Sequence, residues 1–117
     1  MRTYQGGCHC GALRFRLRSE EIHSGIRCNC SICIRKGAVM SVKYYPREDF
    51  EDLTGLEALS VYRFGDRMVN HYFCGNCGIY PFHDVTTEPG AYRVNLGCLD
   101  GLDPLSLEMG LVDGRAF

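Results

Sequence analysis

Residues 6–18 read Gly6-Gly7-Cys8-His9-Cys10-Gly11-Ala12-Leu13-Arg14-Phe15-Arg16-Leu17-Arg18. Two thiols set among glycines run directly into a strict alternation of apolar and basic side chains. Leu13, Phe15 and Leu17 share one parity and Arg14, Arg16 and Arg18 the other, the period of two that marks a half-buried strand. The arginine stripe is read as the solvated face of that strand in preference to an anion-binding stripe, because arginine is mostly exposed in folded proteins.

Beyond this stretch, the same criteria predict strands over residues 38–44 (AVMSVKY), 58–64 (ALSVYRF), 69–73 (VNHYF), 79–83 (IYPFH), 91–97 (AYRVNLG) and 105–112. Pro81 puts the 79–83 strand at an edge or a bend, since proline cannot donate to a ladder. Residues 46–55 (PREDFEDLTG) read as a loop with one helical turn over 47–53, and Gly65-Asp66 and residues 86–90 as turns. No stretch carries a 3.6-residue period of helix length, and no repeat, linker or low-complexity tract is found. Fourteen glycines in 117 residues agree with many turns. The expected fold is all-β, with several short antiparallel sheets and few or no long helices, in one domain spanning residues 1–117.

Eight cysteines are the outlying feature of the composition. Seven lie in three clusters: Cys8 and Cys10; Cys28, Cys30 and Cys33; Cys74 and Cys77. Such close spacing suits metal chelation better than the stapling of distant strands. The turn Cys74-Gly75-Asn76-Cys77-Gly78 aims two thiolates at one point, with Gly78 free to take positive φ. It supplies half a tetrahedron. Cys8 and Cys10, also flanked by glycines, supply the other half, so Cys8, Cys10, Cys74 and Cys77 read as a closed structural zinc site.

Cys28, Cys30 and Cys33 then remain. Three protein ligands with an exchangeable fourth position is the arrangement of a catalytic zinc, and three soft thiolates select zinc over magnesium or calcium. Three thiolates outweigh the charge of one Zn²⁺, which suits the site to holding a substrate thiol as thiolate rather than to activating water. Two other readings of the triad stay open: a purely structural zinc closed by Cys98 or a histidine, and a redox switch pairing Cys33 with Cys28 or Cys30. His9 and His71 neighbour the clusters but are not assigned as ligands, and Cys98 reads as a small buried apolar residue.

The remaining composition excludes several function classes. The net charge is −1, from 13 basic and 14 acidic residues with no block of one sign, so there is no electrostatic footprint for nucleic acid and no polybasic membrane patch. The opening MRTYQGG is too polar for a signal peptide, and no apolar run approaches the ~18 residues needed to span a bilayer. The expected protein is soluble and cytoplasmic, where thiols stay reduced. There is no tryptophan, so tyrosine, phenylalanine, leucine and valine must fill the core.

The motifs GGCHCGALRF, CNCSICIRKG, HYFCGNCGIYPF and VNLGCLDG, in that order from Gly6 to Gly101, resemble the glutathione-dependent formaldehyde-activating enzyme family. Within it, the second and later motifs look most like the branch containing the centromere protein V domain. The resemblance implies an all-β fold of several coiled sheets organised around zinc. It implies a structural zinc on Cys8, Cys10, Cys74 and Cys77 and an active-site zinc on Cys28, Cys30 and Cys33. It implies a carbon–sulfur lyase reaction in which glutathione and formaldehyde combine to, or are released from, S-hydroxymethylglutathione. Two zinc ions per chain are expected, the three-cysteine site being the one that can be partly empty. Asn29 stands where many members carry histidine, and an amide cannot accept a proton near pH 7. Arg35 and Lys36 follow the triad and are candidates to attract the carboxylates of a glutathione-like thiol, the competing reading being a solvated pair. The alternative to an enzyme is a non-enzymatic zinc-binding interaction module in which the second zinc is also structural.

Overall fold

The computed structural model describes residues 1–116. The order of elements is β1 (Arg2–Gly7), β2 (Arg14–Ser19), β3 (Ser24–Cys28), α1 (Ser31–Lys36), β4 (Phe50–Thr54), β5 (Leu59–Tyr62), β6 (Val69–Cys74), β7 (Phe82–Val85), β8 (Glu88–Val94) and β9 (Glu108–Val112), with short 3-10 turns between some of them. They form a three-stranded sheet in the order β1-β2-β4, a two-stranded pair β3-β9 and a four-stranded sheet β5-β6-β7-β8. The all-β expectation is correct, with α1 the one α-helix among the described residues.

The alternation that predicted a strand in residues 12–18 is realised in β2. Leu13, Phe15 and Leu17 are buried, while Arg16 and Arg18 face solvent and pair with Glu51 and Asp52 on the neighbouring β4. These exposed pairs contribute little stability, as a solvated face should. Phe15, Phe50, Phe82 and Tyr92 build the aromatic centre of the core. The Phe15 and Phe50 rings meet edge to face at 5.5 Å, and those of Phe82 and Tyr92 stack at 4.0 Å. Cys8 and Cys74 belong to the same buried cluster, so the first pair of cysteine motifs is anchored in the core itself.

Several local expectations need correction. Residues 38–44 form no strand. Val39, Met40 and Ser41 are buried consecutively, which a two-residue period forbids, and the segment makes only isolated bridges from Met40 to Ile26 and Asn95. Residues 46–55 are not a loop throughout: a 3-10 turn over Arg47–Asp49 leads into β4, whose Phe50 pairs with Leu17 and fills the core. The 79–83 strand is displaced past Pro81 to β7. The 86–90 turn is shorter, because β8 already begins at Glu88 and pairs there with Val85. The 105–112 strand is β9 alone, preceded by a 3-10 turn at Pro104–Ser106. The β3–β9 pair is parallel, unlike the antiparallel pairs of the other two sheets. No helix among the described residues is long and apolar enough to cross a membrane.

Candidate metal centres and the adjoining cavity

The sulfurs of Cys8, Cys10, Cys74 and Cys77 all lie within 4.8 Å of one another. Two of the separations are 3.6 Å (Cys8 to Cys10) and 3.7 Å (Cys10 to Cys74). Four thiolates at ~2.3 Å from one zinc form a tetrahedron with edges of about 3.8 Å, so the cluster fits such an ion. Backbone geometry produces it. Cys74 ends β6, its carbonyl accepts from the Gly78 N–H at 2.8 Å, and Gly78 takes φ +79° to close the turn. The N–H groups of Leu13, Asn76 and Cys77 point at the sulfurs of Cys8, Cys74 and Cys74, at 3.4, 3.4 and 3.5 Å. Backbone hydrogen bonds from Ile79 and Cys10 hold the Cys77 thiol down to about 6. These donors favour thiolates, the form a metal requires.

The sulfurs of Cys28, Cys30 and Cys33 form a second group within 4.8 Å. Cys28 closes β3. Cys30 precedes α1, and its carbonyl opens the helix by accepting from Ile34 at 2.9 Å. The Cys33 carbonyl accepts from Gly37, whose left-handed φ of 69° ends the helix. The six-residue helix therefore brings Cys33 and its N-cap Cys30 back beside Cys28 at the end of β3. Burial pushes the Cys33 thiol up to about 12, with Cys30 beside it adding to the shift. All three can be thiolates together only with a compensating cation, which a divalent metal supplies. Neither Cys98 nor any histidine belongs to this group among the described residues. Cys98 is buried, and its thiol approaches the Tyr80 carbonyl at 3.9 Å.

Asn29 is engaged with residues 113–115 and lines a pocket with Cys28 and Cys33. Its side chain donates to Asp113 at 2.9 Å and accepts from the Arg115 N–H at 3.1 Å, while its carbonyl accepts from Arg115 Nε at 2.8 Å. The segment it holds passes so close to the triad that a Cβ on Gly114 would run into Cys28 Sγ and lie 2.8 Å from Cys30 Cβ. Arg35 and Lys36, adjacent in sequence, part company. Arg35 is exposed and donates to the Ser31 carbonyl of its own helix at 2.7 Å. Lys36 turns inward, with Nζ buried 4.0 Å from the centre of the Tyr80 ring.

A cavity of about 220 Å³ adjoins the triad, lined by Cys28, Cys30, Cys33, Lys36, His71, His83 and Arg93 among apolar side chains. His71 and His83 are directly opposed on β6 and β7 and belong to one hydrogen-bonded chain. His71 Nδ1 lies 2.6 Å from Tyr80 Oη, Tyr80 Oη 3.0 Å from His83 Nδ1, and His83 Nε2 3.1 Å from Tyr44 Oη. Burial, and then the Lys36 charge, push His71 down to about 4 and His83 to about 3. Burial and the Cys33 thiol raise Tyr80. Tyr44, Tyr80, His83 and Arg93 were not singled out from the sequence. The available signal was two histidines at facing positions of neighbouring strands, legible only once the β6–β7 register is known.

A small β fold carries two thiol clusters that could each hold a metal ion, one of four cysteines and one of three bordering a cavity. The model of the glutathione-dependent formaldehyde-activating enzyme family matches residues 3–111, and the chain belongs to that family. A Halomonas elongata protein described as a "putative glutathione-dependent formaldehyde-activating enzyme" is 32% identical over 83 residues, covering 62% of this chain. The match spans about half, 50%, of that relative's length. A crystal structure of a Rhodobacter sphaeroides protein superposes with a TM-score of 0.75 at 34% identity, covering 91% of this chain and 99% of the other.

Proposed function

We propose that residues 1–117 form a zinc enzyme of the carbon–sulfur lyase type, joining or releasing a thiol such as glutathione and a small aldehyde such as formaldehyde. The observation that carries this reading is the triad: three sulfurs within 4.8 Å, no fourth ligand in their group among the described residues, and a cavity beside them. The family description and the relative's printed name speak of glutathione and formaldehyde and support the same chemistry. In this reading Cys8, Cys10, Cys74 and Cys77 hold a structural zinc, and Cys28, Cys30 and Cys33 the catalytic one. Zinc held by Cys28, Cys30 and Cys33 would lower the pKa of a substrate thiol and so supply a thiolate nucleophile at neutral pH.

The chain's own residues supply the rest. The apolar wall around the triad limits access of bulk water to the reacting carbonyl. Lys36 Nζ is a donor for the oxygen that gains charge as the C–S bond forms. Tyr80, set between two neutral imidazoles, can donate to only one of them, so His71, Tyr80, His83 and Tyr44 form a directional hydrogen-bond chain that fixes the ring orientations along the cavity wall. Arg35 lies outside the cavity, where the peptide part of a larger thiol would pass. Asn29 is engaged with the 113–115 segment and holds no proton for the reaction.

Metal analysis tests this reading. Cys30→Ser is expected to remove about one zinc equivalent per chain and to leave the circular dichroism spectrum unchanged; global unfolding would instead give the triad a structural role. In cobalt-substituted protein, glutathione is expected to perturb the thiolate-to-cobalt absorption of one site, and an unchanged spectrum would favour a binding module.

A further inference from the structure

The cavity beside the triad contains two cations whose hydrogen bonding is incomplete. Lys36 Nζ and Arg93 Nε are both buried, and neither finds an acceptor among the described residues, the three cysteine sulfurs included. Both side chains line the same cavity. Other contacts hold them in place. Lys36 rests over Tyr80, and the Arg93 guanidinium lies 4.5 Å from the Tyr44 ring centre, with Nη2 donating to the Val42 carbonyl at 2.8 Å. Among the described residues no aspartate or glutamate lines the cavity, and its acidic groups are the three cysteine thiols, whose charge acts on Lys36; three thiolates sharing one divalent metal would leave a single negative charge against the two cations. The rest of the wall includes Ile26, Ile32, Met40 and Val69. Charged donors buried in such surroundings without acceptors are costly, so the two atoms call for an oxyanion inside the cavity.

That oxyanion has to come with the smaller reactant. Glutathione carries its carboxylates at the two ends of a tripeptide with the thiol between them, so a thiol held at the triad leaves them to the neighbouring pockets of about 410 and 440 Å³ that share Lys36 or Cys33 with this one, whereas the space beside the triad, about 220 Å³, suits a small reactant. Formaldehyde is uncharged and offers these donors no carboxylate. We propose that the electrophile of this site is a small 2-oxo acid, its carboxylate accepting from Lys36 Nζ and Arg93 Nε while its carbonyl faces the cysteine triad. This rests on the thiol–aldehyde reading above and narrows its electrophile. The step is a simple addition: the thiol sulfur bonds to the carbonyl carbon, the carbonyl π pair moves to oxygen, and the proton lost by the thiol ends on that oxygen. Nothing leaves and nothing is oxidised.

The test uses the purified, zinc-loaded protein with glyoxylate as probe. Calorimetric titration is expected to show one saturable glyoxylate site, weakened at least tenfold in Lys36→Met and in Arg93→Met, since a hydrogen bond to a charged group is worth about tenfold to hundredfold. Acetaldehyde, which has a carbonyl but no carboxylate, is expected to bind the unaltered protein at least tenfold more weakly, a comparison that stands even if a variant fails to fold. Absence of saturable glyoxylate binding, equal affinity for the two aldehydes, or full affinity in both folded variants would overturn the inference. Adduct formation from glutathione and each aldehyde is followed in parallel. If formaldehyde reacts and glyoxylate does not bind, this inference alone falls; if neither aldehyde gives an adduct, the thiol–aldehyde reading falls and the inference with it.

Discussion

Gly114 shows how much one missing methyl group can decide. A Cβ there would enter the space of Cys28 Sγ and Cys30 Cβ, both parts of a candidate ligand set. Gly114→Ala is expected to displace the triad and lower zinc content by up to about one equivalent, while the Cys8–Cys77 cluster keeps its metal. Overpacking of this kind costs about 1–3 kcal/mol, measurable by urea denaturation of the same samples. The two cavity histidines give a pH signature. Each is held neutral in the fold, His71 down at about 4 and His83 at about 3, against ~6.5 when unfolded. Below ~6.5 the unfolded chain therefore binds more protons, so stability is fully present above that pH and is lost as pH falls towards 4. The slope is at most about 1.4 kcal/mol per pH unit for each histidine. Denaturation between pH 6.5 and 5 is expected to show it, and His83→Gln to flatten it. That Asn29 is no base was legible from its amide. Its partners were not, because Asp113 lies 84 positions along the chain.

Among the elements, β2 came through from sequence most cleanly, because its burial alternates, while β5 and β6 were found as short β-branched and aromatic runs whose burial does not. In β2 the buried and exposed residues follow the apolar and basic ones, and β6 and β8 fall inside or across the expected ranges. β1 is hidden by polar residues and two glycines, and β3 by a glycine and an arginine; their partners, not their composition, make them strands. The helix α1 is too short for a period to register and exists because Cys30 and Gly37 bracket it. Residues 38–44 mislead in the opposite sense, being apolar enough for a strand but buried as an irregular connection. Turns allow a quantitative contrast. Gly37 and Gly55 both have positive φ, yet a Cβ at Gly37 meets nothing, while one at Gly55 would run into the Ala12 carbonyl. Gly37→Ala is expected to cost about 1 kcal/mol and Gly55→Ala about 2–4 kcal/mol, read from the shift in urea midpoint. Similar costs would show that the Gly55 turn relaxes freely.

For the molecule as a whole, the two thiol clusters carry unequal structural burdens. Cys8 and Cys74 are core residues, and binding a structural zinc is worth an apparent ~10–16 kcal/mol against the ~5–15 kcal/mol of a typical domain. Cys74→Ser is therefore expected to abolish cooperative thermal unfolding, where Cys30→Ser lowers the melting temperature only modestly; calorimetry of the two variants checks the ranking. The three-cysteine and four-cysteine groups could be inferred from spacing, but the cavity beside the triad could not, because it is assembled from β3, α1, β6, β7, β8 and β9 at once. The parallel β3–β9 pair has a further consequence for biosynthesis. Ser24 pairs with Glu108, and the Cys10 sulfur meets Cys74 across 64 positions. A nascent chain cannot assemble the four-cysteine cluster before residue 77 is free, nor brace the triad before residue 112 is. For most of translation the thiols are thus unprotected nucleophiles. Such distant pairings raise contact order and slow folding, which lengthens the interval in which metal supply and oxidants compete for the same sulfurs.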